Sequence, residues 1–246
     1  MASVLACCGH PENILKEPEN IPTNYTYLII DFCTVLVPFV FSFHPALCFY
    51  KTWNYFFPAN LIVGLVFIAW DFLFVHFGVW GFNSRYLCGL SIYTLPIEEI
   101  LFFFCIPYAS LFTYHCLKQF IKAPSFPSRT VSAILIPGLF ITAIAFIPRF
   151  YTSVTFLSLS FVLYFVTFGS KQTWISYFYI SFLLLLIPFF IVNGLLTGSF
   201  IQEPVVWYND RENLGLRLFT VPFEDLFYGM LLLILNIWLY ERFSAR

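Results

Sequence analysis

The sequence GVWGFNSRYLCGLSIYTLPIEEILFFF, residues 78–104, places two adjacent carboxylates, Glu98 and Glu99, between a polar loop and a long apolar run. A fixed offset of 126 residues carries these two acids to Glu224 and Asp225. The other matched positions are Asn83 and Asn209, Arg85 and Arg211, Gly89 and Gly215, Leu90 and Leu216, Thr94 and Thr220, and Pro96 and Pro222. A register held without a gap predicts two structurally equivalent halves.

The composition predicts an all-α integral membrane protein. Hydrophobic residues make up 60% of the 246 residues and charged residues only 10%, whereas about 25% of the residues of soluble domains are charged. A hydrocarbon core of about 30 Å requires roughly 20 mostly apolar residues per helix. Seven predicted spans satisfy this requirement: Tyr25–Phe43, Pro58–Phe77, Leu95–Leu117, Val131–Ile147, Thr152–Phe168, Trp174–Leu196 and Val221–Tyr240.

Charge and motif content argue against several classes of function. The net charge is −1 and the basic residues are scattered, so no nucleic-acid partner is expected. The seven cysteines lie mostly in apolar segments and the four histidines lack metal-ligand spacing, so neither a disulfide framework nor a metal site is expected. The sequence has no GxGxxG motif after a strand and no phosphate-binding glycine loop. We therefore predict no cofactor.

The repeat predicts how the chain is organised. Residues 1–24 form a polar tail without the features of a signal peptide. Residues 25–118 form a first three-helix repeat, 119–150 a linker with a connecting helix, and 151–242 a second three-helix repeat. Four spans separate equivalent helices, so both halves run in the same direction about a pseudo-two-fold axis, with both acidic motifs on one side. Five Lys and Arg lie on that side and seven on the other, which favours a cytoplasmic C-terminus.

Further polar residues lie near the motifs or inside the spans. Asp31 falls within the first span, where a charge costs about 2.5–3.5 kcal/mol and suggests a function. The alternative is that Asp31 lies near the interface or pairs with a neighbouring helix. Asp71 is matched by Asn193 before the second loop, and Trp80 and Trp207 precede the shared asparagines.

The doubled acid suggests more than a helix cap. Pro96 and Pro222 are expected at the first helical position, which makes Glu98 and Glu224 the third residues of their helices. A single acid there often only stabilises the helix N-terminus. Neighbouring residues on a helix point about 100° apart. We therefore expect one acid of each pair to face the interior between the halves. The other acid should contact an adjacent helix or a basic loop residue, the candidates being Arg85, Arg211 and Arg217.

A carboxylic acid in dry, aromatic surroundings is suited to protonating a carbon–carbon double bond. Aromatic faces stabilise the resulting cation by about 2 kcal/mol or more when it is desolvated, and a fixed carboxylate adds electrostatic stabilisation. Aromatic residues make up 22% of this chain, although most of them must face lipid or the core.

The motif residues resemble the membrane-embedded, flavin-free lycopene cyclase family. The resemblance rests on WD at 70–71, GVWGFN at 78–83, LPIEE at 95–99 and IPY at 106–108, with WYN at 207–209 and PFED at 222–225 in the second copy. It extends over roughly residues 25–242. Members occur as two separate subunits, as one fused chain, or as the front part of fungal bifunctional enzymes.

The resemblance implies a cofactor-independent isomerase, an intramolecular lyase, that closes a linear end of lycopene into a ring, most often of the β type. It implies catalytic roles for Glu98 and Glu224 as candidate acids and for Glu99 and Asp225 as fixed charges or proton acceptors. The supporting residues would be Asp31, Asp71, Trp80, Asn83, Arg85, Asn193, Asn209 and Arg211. Which half supplies the acid stays open.

The implied partners are lycopene, the lipid bilayer, expected to be a bacterial cytoplasmic membrane, and other carotenoid enzymes. Two alternatives share the sequence features. A proton-coupled transporter also uses parallel repeats and acids within the membrane. A cyclase of C50 carotenoids would use the same chemistry.

Overall fold

The computed structural model describes residues 23–122, 124, 126–169 and 174–245, so all but the last two residues of the predicted tail lie outside the described residues. Within these ranges, seven helices are long and apolar enough to cross a membrane, which confirms the predicted class and number of spans. The helices are α1 (Thr26–Phe41), α2 (Trp53–His76), α3 (Ile97–Phe120), α4 (Ser128–Ala145), α5 (Phe150–Phe168), α6 (Ile175–Leu196) and α7 (Phe223–Ser244).

Three of the helix starts that differ from the prediction, those of α2, α3 and α7, involve proline. Helix α2 begins at Trp53 and contains Pro58, because membrane helices tolerate an internal proline when neighbouring groups satisfy the freed carbonyl. Helix α3 begins at Ile97 and α7 at Phe223, so the prediction was wrong for both acids: Glu98 and Glu224 are the second residues of their helices rather than the third. Pro96 is extended, with ψ of 149°, and pairs with Ser91 in a short strand ladder. The φ that the proline ring imposes is compatible both with the first turn of a helix and with an extended strand, so the sequence did not distinguish the two.

The helices of the two halves interlock. Helix α1 packs against α3, and in the same way α5 packs against α7. The middle helices cross over, since α2 packs against α7 while α6 packs against α3. Helix α4 packs mainly against α5. Each half therefore contributes to the core of the other, whereas the division into three, one and three helices stays a prediction.

A short antiparallel ribbon joins the two motif loops. Strand β1 (Trp80–Phe82) pairs with β4 (Val206–Tyr208), with Gly81 opposite Trp207. At its ends the Asn83 N–H donates to the Val205 carbonyl and the Asn209 N–H donates to the Val79 carbonyl, both at 2.8 Å. The offset of 126 residues interchanges these two hydrogen bonds. The pseudo-two-fold axis therefore passes through the ribbon, and both loops lie at the same end of the bundle.

Equivalent hairpins lead into the two acidic helices. Strands β2 (Ser91–Ile92) and β3 (Leu95–Pro96) precede α3, while β5 (Arg217–Leu218) and β6 (Val221–Pro222) precede α7. Tyr93 and Phe219 occupy the same position in the two turns, each with φ of 59°. Because the hairpins share this geometry, both acid pairs enter the bundle in the same orientation.

The outer surface of the bundle is apolar, as a lipid-facing surface requires. Phe161 is 70% exposed and Ile187 69% exposed, although both lie within spans. At the end opposite the motif loops, Lys118 and the Tyr114 hydroxyl both contact the Glu241 carboxylate at 2.6 Å. These contacts connect the C-terminal turns of α3 and α7.

Candidate active site

The first acid of each pair holds its own loop. Glu98 and Glu224 are both 0% exposed. The Cys88 backbone N–H donates to Glu98 Oε1 at 2.6 Å, and the Leu214 N–H donates to Glu224 Oε1 at 2.7 Å. The Thr152 hydroxyl on α5 also donates to Glu224, at 2.5 Å. Of the two expected kinds of contact, Glu224 thus makes the one with an adjacent helix. In both halves a backbone N–H takes the place of the basic loop residue, because each loop folds back over its helix N-terminus.

The second acid of each pair lines one shared cavity of about 70 Å³, to which both Glu99 and Asp225 contribute. The Tyr27 hydroxyl on α1 donates to Glu99 Oε2 at 2.5 Å. The Tyr151 hydroxyl on α5 donates to Asp225 Oδ1 at 2.5 Å, and that of Tyr208 on β4 donates to Oδ2 at 2.9 Å. The two halves therefore direct one carboxylate each into a single cavity.

Aromatic rings form much of the cavity wall. Trp80 meets Tyr151 edge to face at 5.1 Å between ring centroids and Tyr228 at 5.9 Å. The hydroxyl of Tyr228 is buried and has no hydrogen-bond partner among the described residues. Burial, with the neighbouring Asp225 carboxylate, raises the pKa of the Tyr208 hydroxyl well above its ordinary value. Tyr208 therefore remains a hydrogen-bond donor at neutral pH.

A larger apolar cavity adjoins the acidic one within the membrane-spanning helices. Its volume is about 340 Å³, and residues of α1, α3, α6 and α7 line it. The two cavities share four lining residues: Ile106, Phe189, Asn193 and Gly229. The larger cavity therefore lies next to the one that contains Glu99 and Asp225.

The buried residues that precede the motifs have unequal roles in the two halves. Asp71 is 0% exposed and accepts a hydrogen bond from the Trp80 indole, which orients that ring toward the cavity. Its counterpart Asn193 donates to the Phe189 carbonyl at 3.1 Å and lines both cavities. Asp31 is 2% exposed, and neither of its carboxylate oxygens has a hydrogen-bond partner among the described residues.

The repeated Asn and Arg residues lie in the loops and not in the cavity wall. The Asn83 side chain accepts from the Arg85 N–H at 3.1 Å, and Asn209 accepts in the same way from the Arg211 N–H at 3.2 Å. Both arginine residues are exposed. The asparagine amides reach across the ribbon, Asn83 to Glu203 at 2.9 Å and Asn209 to the Gly78 carbonyl at 3.2 Å. These residues shape and join the loops.

The residues that sequence reasoning missed are the tyrosines around the acids. Tyr27 and Tyr151 are equivalent in the structure but are 124 residues apart, so the offset of 126 does not align them. The same offset aligns Tyr208 with Phe82 and Tyr228 with Phe102, so these tyrosines are not among the residues that are identical in the two repeats. Among the described residues, no group of three or more His, Cys, Asp or Glu side chains could hold a metal ion.

We expect Glu98→Leu to destabilise the protein. The substitution leaves the partly buried Cys88 N–H without its acceptor, at a cost of about 1–3 kcal/mol or less. Glu98→Gln retains an acceptor oxygen and is the matched control. Thermal unfolding in detergent compares the two variants. Equal stability would show that this hydrogen bond does not hold the loop.

Together, fold and site define an integral membrane protein in which two repeats direct carboxylates into one aromatic cavity. A family model described as lycopene cyclase matches residues 24–117 and 148–243. The chain belongs to this family, which confirms the resemblance drawn from the motifs. No curated protein and no solved structure matched the chain in the corresponding comparisons.

Proposed function

We propose that this protein closes a linear end of lycopene into a ring by acid–base catalysis, without a redox step. The observation that carries the proposal is the cavity shared by Glu99 and Asp225, which adjoins an apolar cavity of about 340 Å³. The larger cavity suits a polyene chain, since small-molecule sites of about 300–1,000 Å³ are lined mainly by apolar groups. The smaller cavity contains the two carboxyl groups that would act on the reacting end.

The reaction proceeds through a carbocation. A carboxylic acid gives its proton to the terminal double bond, and the resulting cation is attacked by the neighbouring double bond, which closes the ring. A carboxylate then removes a proton from a carbon next to the new cationic centre. Product and substrate contain the same atoms, so no electron carrier is needed. The site must also exclude water, which would otherwise add to the cation.

The cavity walls fit this intermediate. Trp80, Phe102 and Tyr228 present rings to the space between the acids, and aromatic faces stabilise a desolvated cation by about 2 kcal/mol or more. Asp71 fixes the Trp80 indole through its hydrogen bond. Loss of the proton from the ring carbon that carries the polyene extends the conjugation. The β ring is therefore the expected product.

This geometry leads us to assign proton transfer to Glu99 and Asp225 and loop support to Glu98 and Glu224. The first two acids line the cavity, whereas the other two bind backbone N–H groups of their loops. We further propose that the protein is an isomerase located in a bacterial cytoplasmic membrane. Other carotenoid enzymes would supply its lycopene.

Expression in a lycopene-accumulating bacterium tests the activity. We expect chromatography of the extracted pigments to show monocyclic or bicyclic isomers of lycopene. A variant carrying both Glu99→Gln and Asp225→Asn is the control and should leave lycopene unchanged. Unchanged lycopene with the unaltered protein present in the membrane fraction would refute the proposal. Conversion of C50 pigments alone would reassign the substrate.

A further inference from the structure

The two halves of the cavity differ at positions that the repeat aligns. The offset of 126 residues pairs Phe82 with Tyr208 and Phe102 with Tyr228. The second half thus carries a hydroxyl at two positions where the first half has only a phenyl ring. Both tyrosines line the cavity. The site is therefore chemically asymmetric although its backbone is nearly symmetric.

The asymmetry gives the two acids different hydrogen bonding. Asp225 accepts one hydroxyl on each oxygen, from Tyr151 and Tyr208. Glu99 accepts only the Tyr27 hydroxyl, on Oε2, and its Oε1 accepts no hydrogen bond from the described residues. Hydrogen bonds to a carboxylate favour its charged form. Asp225 is therefore better held as an anion than Glu99.

The surrounding charges also differ, beyond the acid that each carboxylate has beside it in the chain, Glu98 for Glu99 and Glu224 for Asp225. On the Asp225 side, the Arg217 guanidinium lies 5.9 Å from the centre of the Tyr208 ring. On the Glu99 side, two more buried acids, Asp31 and Asp71, interact electrostatically with the Glu99 carboxyl. A nearby positive charge favours a carboxylate, and nearby acids disfavour a second one.

We propose that Glu99 is the proton donor and Asp225 the proton acceptor, an assignment that rests on the proposed cyclase function. The Glu99 O–H bond breaks as a C–H bond forms at the terminal double bond of the polyene. The neighbouring double bond then closes the ring and leaves a cation at the next carbon. Asp225 takes a proton from a carbon beside that cation, and the C–H electrons form the ring double bond. The proton returns from Asp225 to Glu99 before the next turnover.

The acceptor also selects the product. The cationic carbon has three neighbours that can lose a proton: the ring carbon bearing the polyene, a ring CH₂ and a methyl group. A fixed Asp225 carboxylate selects one of these carbons by position. Tyr208 is then a positioning residue, because it holds the Asp225 oxygen that Tyr151 does not hold.

Product analysis of single variants tests the assignment. Glu99→Gln removes the donor, and we expect ring formation to fall by about 10²–10⁴-fold, with lycopene left unreacted. Asp225→Asn leaves the donor in place, so we expect continued consumption of lycopene at a reduced rate. Its products should be mixed: isomers with the double bond elsewhere in or beside the ring, or a water adduct. Tyr208→Phe should raise the minor isomers several-fold while slowing consumption less than Asp225→Asn does.

The outcomes distinguish the assignment from the function itself. Ring formation at close to the original rate by the Glu99→Gln protein, or only unreacted lycopene from the folded Asp225→Asn protein, would overturn the division of roles. An unchanged isomer ratio in Tyr208→Phe would overturn the positioning role. Failure of the unaltered protein to form any ring would instead refute the proposed function. Detection of each protein in the membrane fraction is required in every case.

Discussion

Glu99→Gln is expected to abolish ring formation while the adjacent Glu98→Gln retains most of it. The two residues are neighbours in one helical turn, but only Glu99 lines the cavity, and Glu98 accepts the Cys88 N–H. Loss of a general acid reduces the rate by about 10²–10⁴-fold. Gln at position 98 keeps an acceptor oxygen, so its activity should stay within about tenfold of the original, because no proton transfer is lost.

Initial rates of lycopene consumption in isolated membranes provide the measurement, normalised to the amount of folded protein. The comparison is well controlled, since the two substitutions are chemically identical and one residue apart. A greater loss of rate for Glu98→Gln than for Glu99→Gln would contradict the assignment. It would favour the sequence-based interpretation, in which Glu98 and Glu224 are the acids.

Gly229→Leu is expected to block the site without unfolding the protein. Gly229 lines both cavities, and a Cβ added there would lie 3.2 Å from Phe189 Cε2. A leucine side chain would therefore fill the junction through which a polyene end must reach the acids. Ring formation should fall at least tenfold, and Gly229→Ala should give a smaller loss, because core positions accommodate a single methyl more easily than a branched side chain.

Gly138→Leu is the matched control for this substitution. Gly138 lies in α4, and a Cβ added there meets no atom within 4 Å in the described part of the chain. The same change in size should therefore leave the rate nearly unaltered. Full activity in Gly229→Leu would exclude a substrate path across this junction.

The sequence alone was enough to predict the membrane spans, the internal repeat and the common direction of its two halves. The composition predicts the membrane spans, since a segment as apolar as α6 has few alternatives to a membrane helix. The matched residues reveal the repeat because the geometry of the loops requires them. Gly89 and Gly215, for example, both have positive φ, a backbone conformation that glycine adopts without strain. The family resemblance followed from these same residues.

The sequence did not reveal which acid enters the cavity. Glu98 and Glu99 differ only in direction, and that direction depends on where α3 begins. The helix starts one residue later than the proline suggested, because Pro96 belongs to the hairpin. The tyrosines escaped detection for another reason: they join the acids through contacts across the fold, as in the pairing of Tyr27 with Glu99. Repetition along the chain does not encode such contacts.

The cavity to which both repeats contribute a carboxylate has a kinetic consequence for the proposed activity. If Glu99 and Asp225 act together as proposed, the two repeats provide one reaction centre within the described part of the chain, not two. A molecule with two linear ends must leave after its first ring closes and return in the reverse orientation for its second. Synthesis of the two-ring product is then distributive, with a lag during which the one-ring compound accumulates and competes with fresh lycopene for the same site.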